Sequence, residues 1–291
     1  MKFDEFVTPN LSRIAVAEMN ERRDLPRFLR FLFLTTIVVR TFISERQANH
    51  LRDKFESNGN INYKQAWMSV MLARSVFYWA GHPSFENLMQ RLARVDFEAA
   101  FNEVNAAHYF RLHGWDILAR PVTGIKGEDF DFIAIRNEIA MNVEVTALEK
   151  TQVDKETLFR KLQKKRRQLP KIGPNAIYCL IPEEWAVPDV DDILADVANR
   201  FFLVTERVSC VLFAVSMWPE LRPALGSAID IVTPRHATAT YVYGNATSPF
   251  SVDLSLVSTP GFISQRKFEF DKWFMWLLWE AEVSSRDFRP T

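Results

Sequence analysis

Glycine is scarce in this sequence, 9 of 291 residues, and cysteine scarcer still, with Cys179 and Cys210 alone. No Gly-rich phosphate loop and no G-x-S-x-G elbow can be found. Two cysteines, each inside an apolar strand-like run, make neither a disulfide framework nor a CxxC metal pair. They point to a reduced, cytoplasmic protein. Histidine is equally thin: His50, His82, His108, His113 and His236 show no H-x3-H spacing. His108 and His113 are expected on a helix surface. Net charge is also missing, since Lys+Arg and Asp+Glu both number 36. A general basic footprint for nucleic acid is thereby excluded, and any such contact has to come from a local patch. Long apolar runs are absent too. Phe31 to Val39 covers nine residues and Trp273 to Trp279 seven, where a membrane span needs about 20. The opening MKFDEFVTPN has no apolar h-region, so neither a signal peptide nor a membrane partner is expected.

What the chain does have is 24 phenylalanines and 48% hydrophobic against 25% charged residues, enough to bury a substantial aromatic core. Residues 1–95 read as helices only, a domain suited to targeting or assembly through a protein partner or a second copy. One helix is expected from Leu25 to Ser57, broken at Asn58-Gly59-Asn60. A second runs from Tyr63 to Ala80, stopped at Gly81-His82-Pro83, and a third from Ser84 to Arg94. From residue 96 to 291 the pattern changes to α/β. A helix from Asp96 to His113 ends at Gly114. Strands follow at Trp115–Pro121, Phe130–Ile135 and Ile139–Ala147, the last two forming a hairpin around Arg136-Asn137-Glu138. Asp154 can cap a helix reaching Leu169, stopped by Pro170. A strand at Asn175–Ile181, a helix at Asp189–Val204 and strands at Val208–Ser216 and Ala237–Tyr243 complete a mixed sheet. A tryptophan-rich helix near Phe268–Ala281 is expected to serve as core or interface.

Three acids carry the candidate chemistry. Glu103 is mid-helix, Asp131 opens one hairpin strand, and Glu144 lies late in the next. Strand alternation sets Glu144 and Thr146 on one face and Val143 and Val145 on the other. An acid between two valines is costly to bury unless something compensates its charge, and a hard divalent cation does so. The hairpin brings Asp131 beside Glu144, so the two carboxylates, a backbone carbonyl and waters make a plausible Mg²⁺ site. Asp129 shares the face of Asp131 and is the alternative ligand. The run KLQKKRR offers Lys161, Lys164, Lys165 and Arg167 as phosphate contacts or as a solvated face, two readings of equal standing.

At Glu103-Val104-Asn105-Ala106-Ala107, Gly127-Glu128-Asp129-Phe130-Asp131-Phe132 and Val143-Glu144-Val145-Thr146, the sequence resembles the PD-(D/E)XK nuclease superfamily. The resemblance covers about residues 96–216. It implies a restriction-endonuclease-like αβββαβ core with a mixed sheet, preceded by the all-α region. It further implies a Mg²⁺- or Mn²⁺-dependent nuclease acting on DNA or RNA. In that scheme Asp131 and Glu144 hold the metal, the Val145 carbonyl is a third ligand, and Glu103 binds a second metal or a metal water. Two positions depart from the family pattern. Thr146 stands where the motif lysine belongs, leaving the hydroxyl to orient the water and Lys126 or Lys161 as candidates for the missing charge. The motif proline is Glu128 or Phe130. The lost lysine favours an alternative: a catalytically degenerate nuclease-fold module that binds nucleic acid or protein.

Overall fold

The computed structural model describes residues 9–25, 27–42, 63–94, 97–120, 129–217, 237–258, 272–277 and 279–280. The chain divides into two compact units, each assembled from separate stretches of sequence, with the first break at Phe97/Glu98.

The first unit contains helices α1 (Pro9–Glu21), α2 (Arg27–Phe42), α3 (Tyr63–Trp79) and α4 (Phe85–Arg94). Leu11, Ala15 and Met19 are buried at four-residue spacing along α1, the stripe of a helix with one covered face. No sequence signal had marked α1. The expected helix from Leu25 is α2 as far as Phe42, and residues 43–57 of that expectation lie outside the described residues. The tryptophan-rich tail joins this unit. Phe274 packs edge-on against Phe31, with ring centroids 4.9 Å apart, and Trp273 lies 5.2 Å from Phe77. Trp273, Phe274 and Leu277 are buried, whereas Trp276 and Trp279 face solvent.

The second unit is mixed α/β. Its order is α5 (Phe97–Leu112), β1 (Asp116–Ala119), β2 (Phe132–Arg136), β3 (Ile139–Ala147), α6 (Lys155–Lys165), β4 (Asn175–Ile181), α7 (Val190–Phe202), β5 (Cys210–Met217), β6 (Ala237–Gly244) and a short α8 (Ser255–Ser258). The strands form one six-stranded sheet in sequence order. β1, β2 and β3 pair antiparallel, β3, β4 and β5 parallel, and β6 antiparallel to β5. The β2–β3 turn is the two-residue Asn137-Glu138, both with positive φ (48° and 68°), a twist that matches the flanking strands. No helix among the described residues is long and apolar enough to cross a membrane.

Each face of the sheet has its own cover. On one, Phe132 and Tyr178 meet α5 through Phe110 and Tyr109, with centroids 5.5 to 6.3 Å apart. His113 belongs here. It is buried, its Nδ1 hydrogen-bonds Tyr109 O at 2.8 Å and its ring lies 4.1 Å from the Tyr109 ring. The expected surface position is therefore corrected: burial pushes its pKa down, and it serves as packing. On the other face Ile177, Cys179, Val211 and Phe213 lie under α6 and α7, packed with Leu158, Leu162, Val197 and Phe201.

α6 forms because Asp154 accepts from Glu156 N (3.1 Å) and Thr157 N (3.0 Å), satisfying two donors of the first turn. It ends at Lys165 rather than Leu169. From there the chain tightens into i→i−3 bonds, Arg167 N to Lys164 O and Gln168 N to Lys165 O, before the proline expected to stop it is reached.

Candidate active site

Glu144 stands on the α6 face of β3 with only 1% of its surface exposed. Alternation places it there, together with Ala140, Asn142 and Thr146, while Val143 and Val145 face α5. One carboxylate oxygen, Oε1, accepts from Lys165 Nζ. The other, Oε2, is buried and has no hydrogen-bond partner. A buried carboxylate with a bare oxygen is an energetic liability. Burial, first, and repulsion from Asp131, second, push the Glu144 pKa up to about 8 against the pull of Lys165.

Asp131 reaches the same spot from the β2 side. Strand pairing stops at Phe132↔Val143, and Asp131 continues it with one backbone and one side-chain bond. Its N–H donates to Val143 O at 3.1 Å, and its Oδ2 accepts from Val145 N–H at 2.7 Å. Asp131 so reaches both backbone neighbours of Glu144, Val143 through its own N–H and Val145 through its carboxylate. Asp129 lies two residues earlier and is half-buried. Glu103 is half-buried on α5, which covers the opposite face, and its charge is the weakest of those felt at Glu144. Thr146 is buried beside Glu144 on the same face. Lys126 lies outside the described residues.

Lys165 changes the reading of the basic helix. Leu158, Leu162, Lys165 and Leu169 recur at i, i+4, i+7 and i+11, so this lysine occupies the inward stripe among buried leucines. It is not a free phosphate contact; its ammonium, on a side chain 23% exposed, neutralises Glu144. The sequence held the signal: a lysine on an apolar stripe needs a buried acid as partner. Reading the run as one cationic face concealed it.

The remaining cations divide along α6. Those of the N-terminal half and of α7 are neutralised: Arg160 and Arg200 both on Glu156 at 3.1 Å, and Lys155 on Asp196 at 3.0 Å. Past that point Lys161, Lys164, Arg167 and Lys171 form no ion pair among the described residues.

The donor set is oxygen only, two carboxylates with one bare oxygen, and it fits a hard divalent cation. Among the described residues no group of three or more His, Cys, Asp or Glu side chains is gathered to hold a metal. Backbone carbonyls and water would have to complete the shell. Both thiols are free, buried and pushed up to about 12 by that burial. Compared with known proteins, the chain matches no family profile, no curated protein and no solved structure.

Proposed function

We propose that the second unit is a metal-dependent nuclease of the PD-(D/E)XK type, hydrolysing phosphodiester bonds in DNA or RNA at Asp131 and Glu144. The observation that carries this reading is the Glu144 carboxylate, almost fully buried, with one oxygen on Lys165, the other bare, and the Asp131 charge acting on it. An ion pair kept only for structure is expected to satisfy both carboxylate oxygens; this one leaves Oε2 bare.

Asp131 and Glu144 would hold Mg²⁺ or Mn²⁺ with the Val145 carbonyl. The cation would polarise a phosphoryl oxygen and lower the pKa of a bound water. The protein's own groups have separable tasks. Asp131 fixes the backbone at Val143 and Val145 and so aims Glu144. Lys165 supplies, from a helix, the positive charge that Thr146 cannot supply from the strand, and stabilises negative charge gathering on the phosphate. Thr146 offers a hydroxyl to orient the water. Lys161, Lys164 and Arg167 take flanking phosphates, and Glu103 is assigned to a second metal or its water. The element order α5-β1-β2-β3-α6-β4 agrees with this assignment.

The test is incubation of the full chain with supercoiled plasmid, linear duplex, single-stranded DNA and RNA, with Mg²⁺, Mn²⁺ or EDTA. Cleavage with metal that disappears in EDTA, in Asp131→Asn and in Glu144→Gln is the expected result. The absence of both cleavage and calorimetric metal binding overturns the reading. Metal and strand binding without cleavage moves it to the degenerate module, which Thr146 at the lysine position favours.

A further inference from the structure

Asn175, the first residue of β4, is 0% exposed, and its side-chain amide is fully engaged. Nδ2 donates to Pro170 O at 3.0 Å and to Arg207 O at 2.8 Å. Oδ1 accepts from Asn142 Nδ2 at 3.0 Å. Both the donor nitrogen and the acceptor oxygen of the amide are thus in use, as its burial requires. Stapling the loop before β4 would take only the first two bonds. The third goes to another strand.

The three bonds reach three segments. Pro170 follows α6, Arg207 follows α7, and Asn142 lies on β3. The contacts continue outward at both ends. Arg207 Nη1 donates to Arg166 O at 3.2 Å and to Leu169 O at 3.4 Å, so carbonyls at the end of α6 are held by an arginine from beyond α7. Arg166 is the residue after Lys165. Asn142 adds its backbone N–H to Pro174 O at 2.9 Å. Two residues further along the same face of β3, about 7 Å away, stands Glu144.

The chain Arg207–Asn175–Asn142 therefore joins the same two elements, α6 and β3, as the Lys165–Glu144 ion pair. The two links differ in kind. A divalent cation drawing on the Glu144 oxygens competes with Lys165 for them, and the ion pair weakens as the site fills. The link between Asn142 and Asn175 is a neutral hydrogen bond between two amides and faces no such competition. A lysine is a point charge on a flexible four-carbon stem, so the place of its ammonium is set first by the place of its helix.

Resting on the nuclease reading, we propose that Asn175 is a positioning residue, whose amide fastens the end of α6 to β3 and so keeps the Lys165 ammonium at the acid site while metal and phosphate occupy it. Asn142 and Arg207 are the two arms through which it acts.

The test breaks the arms and then the hub, in the full chain. Asn142→Ala removes the bond to β3. Arg207→Met keeps the stem and removes both bonds to the end of α6. Both residues are half-buried. Asn175→Asp keeps the size and loses both donors. In each background a double-mutant cycle of Lys165→Met and Glu144→Gln, read by denaturant unfolding in EDTA, should keep less than half the coupling of the wild-type chain. With Mg²⁺, kcat should fall by about tenfold to a hundredfold, the scale of a small misplacement, with KM within about twofold. Added to Lys165→Met, the same substitutions should slow cleavage no further, since the group they position is gone. Full coupling in both arm variants overturns the inference. So does a loss of kcat that is equal with and without the Lys165 ammonium. If Asn175→Asp does not fold, the two arm variants decide. Cleavage by a protein whose coupling ignores both arms leaves the nuclease reading standing and removes this inference alone. Coupling lost from both arms in a protein that never cleaves keeps the positioning of Lys165 and removes the nuclease reading.

Discussion

Asp131 grips the chain on both sides of Glu144, donating its N–H to Val143 O and accepting Val145 N–H on its carboxylate. The second acid is held by the first through backbone rather than by a shared hydrogen bond. The consequence is measurable. Asp131→Asn keeps an acceptor for Val145 and should cost little stability. Asp131→Ala leaves that N–H without its partner and should cost about 1–3 kcal/mol, a fall in Tm of roughly 2–4 °C per kcal/mol for a unit of this size. Both should abolish cleavage. Thermal unfolding in EDTA separates the two effects, and equal Tm losses for Asn and Ala would count against the bracket.

Glu144 and Lys165 should behave as a buried pair. Lys165→Ala leaves Glu144 without its cation, so the carboxyl keeps its proton at neutral pH; above about pH 8, where it would ionise, the change should cost about 3–5 kcal/mol. Glu144→Gln leaves a lysine that still reaches water, and should cost less. In a double-mutant cycle the two should couple by about 0.5–3 kcal/mol. A coupling near zero by denaturant unfolding would show the contact to be incidental.

The charge on the helix lysine should matter to the chemistry as well. Lys165→Met keeps the stem and removes the ammonium, and should lower kcat by about a hundredfold or more, the scale of losing one preorganised donor. Thr146→Lys puts an ammonium on the same strand face, two residues from Glu144. In the Lys165→Met background it should recover part of the lost rate, whereas Thr146→Gln should not. Single-turnover cleavage compares them.

In the metal-free protein Glu144 should add stability in acid that it withdraws towards neutral pH. The Glu144 pKa is raised from 4.5 to about 8, so the folded state favours the protonated form. Its contribution to stability is fully present below about pH 4.5 and is lost as pH rises through about 8. In wild type, denaturation midpoints in EDTA should fall across that window, and in Glu144→Gln the fall should flatten. A wild-type slope retained by the variant would assign the dependence to other groups.

The unpaired cations should set the salt dependence of strand binding. Losing Lys164 and Arg167 should flatten log K against log salt by roughly 0.7 to 0.9 per contact. Arg160→Ala, which removes a cation already held by Glu156, should leave the slope unchanged.

Much of the second unit was legible because its signals are local. The 2-period of β3, the Asp154 cap and the leucine spacing of α6 each act over a few residues, and all three appear as read. The end of α6 was misread because Pro170 was taken as the stop, when the helix had already tightened at Lys165. His113 was misplaced for a different reason: Tyr109, one turn earlier on α5, covers its ring, and it does so because that turn of the helix packs on the sheet through Tyr178. At the site, the pairing of Asp131 with the Glu144 region followed from hairpin geometry. The role of Lys165 did not, because it depends on where a helix docks, and the sequence was read for charge rather than for the stripe that charge interrupts.

The two contacts that define the site also differ in reach along the chain. Asp131 meets Val145 across 14 residues, within one hairpin, whereas Lys165 meets Glu144 across 21, and only once α6 has crossed back over the sheet. Closing the hairpin is the cheaper step. The acids should therefore be in place while the helix is still undocked, and a folding chain passes through a stage with its two carboxylates together and no cation between them. Refolding should be fastest where Glu144 carries its proton, and the final docking of α6 should be the step that rising pH slows.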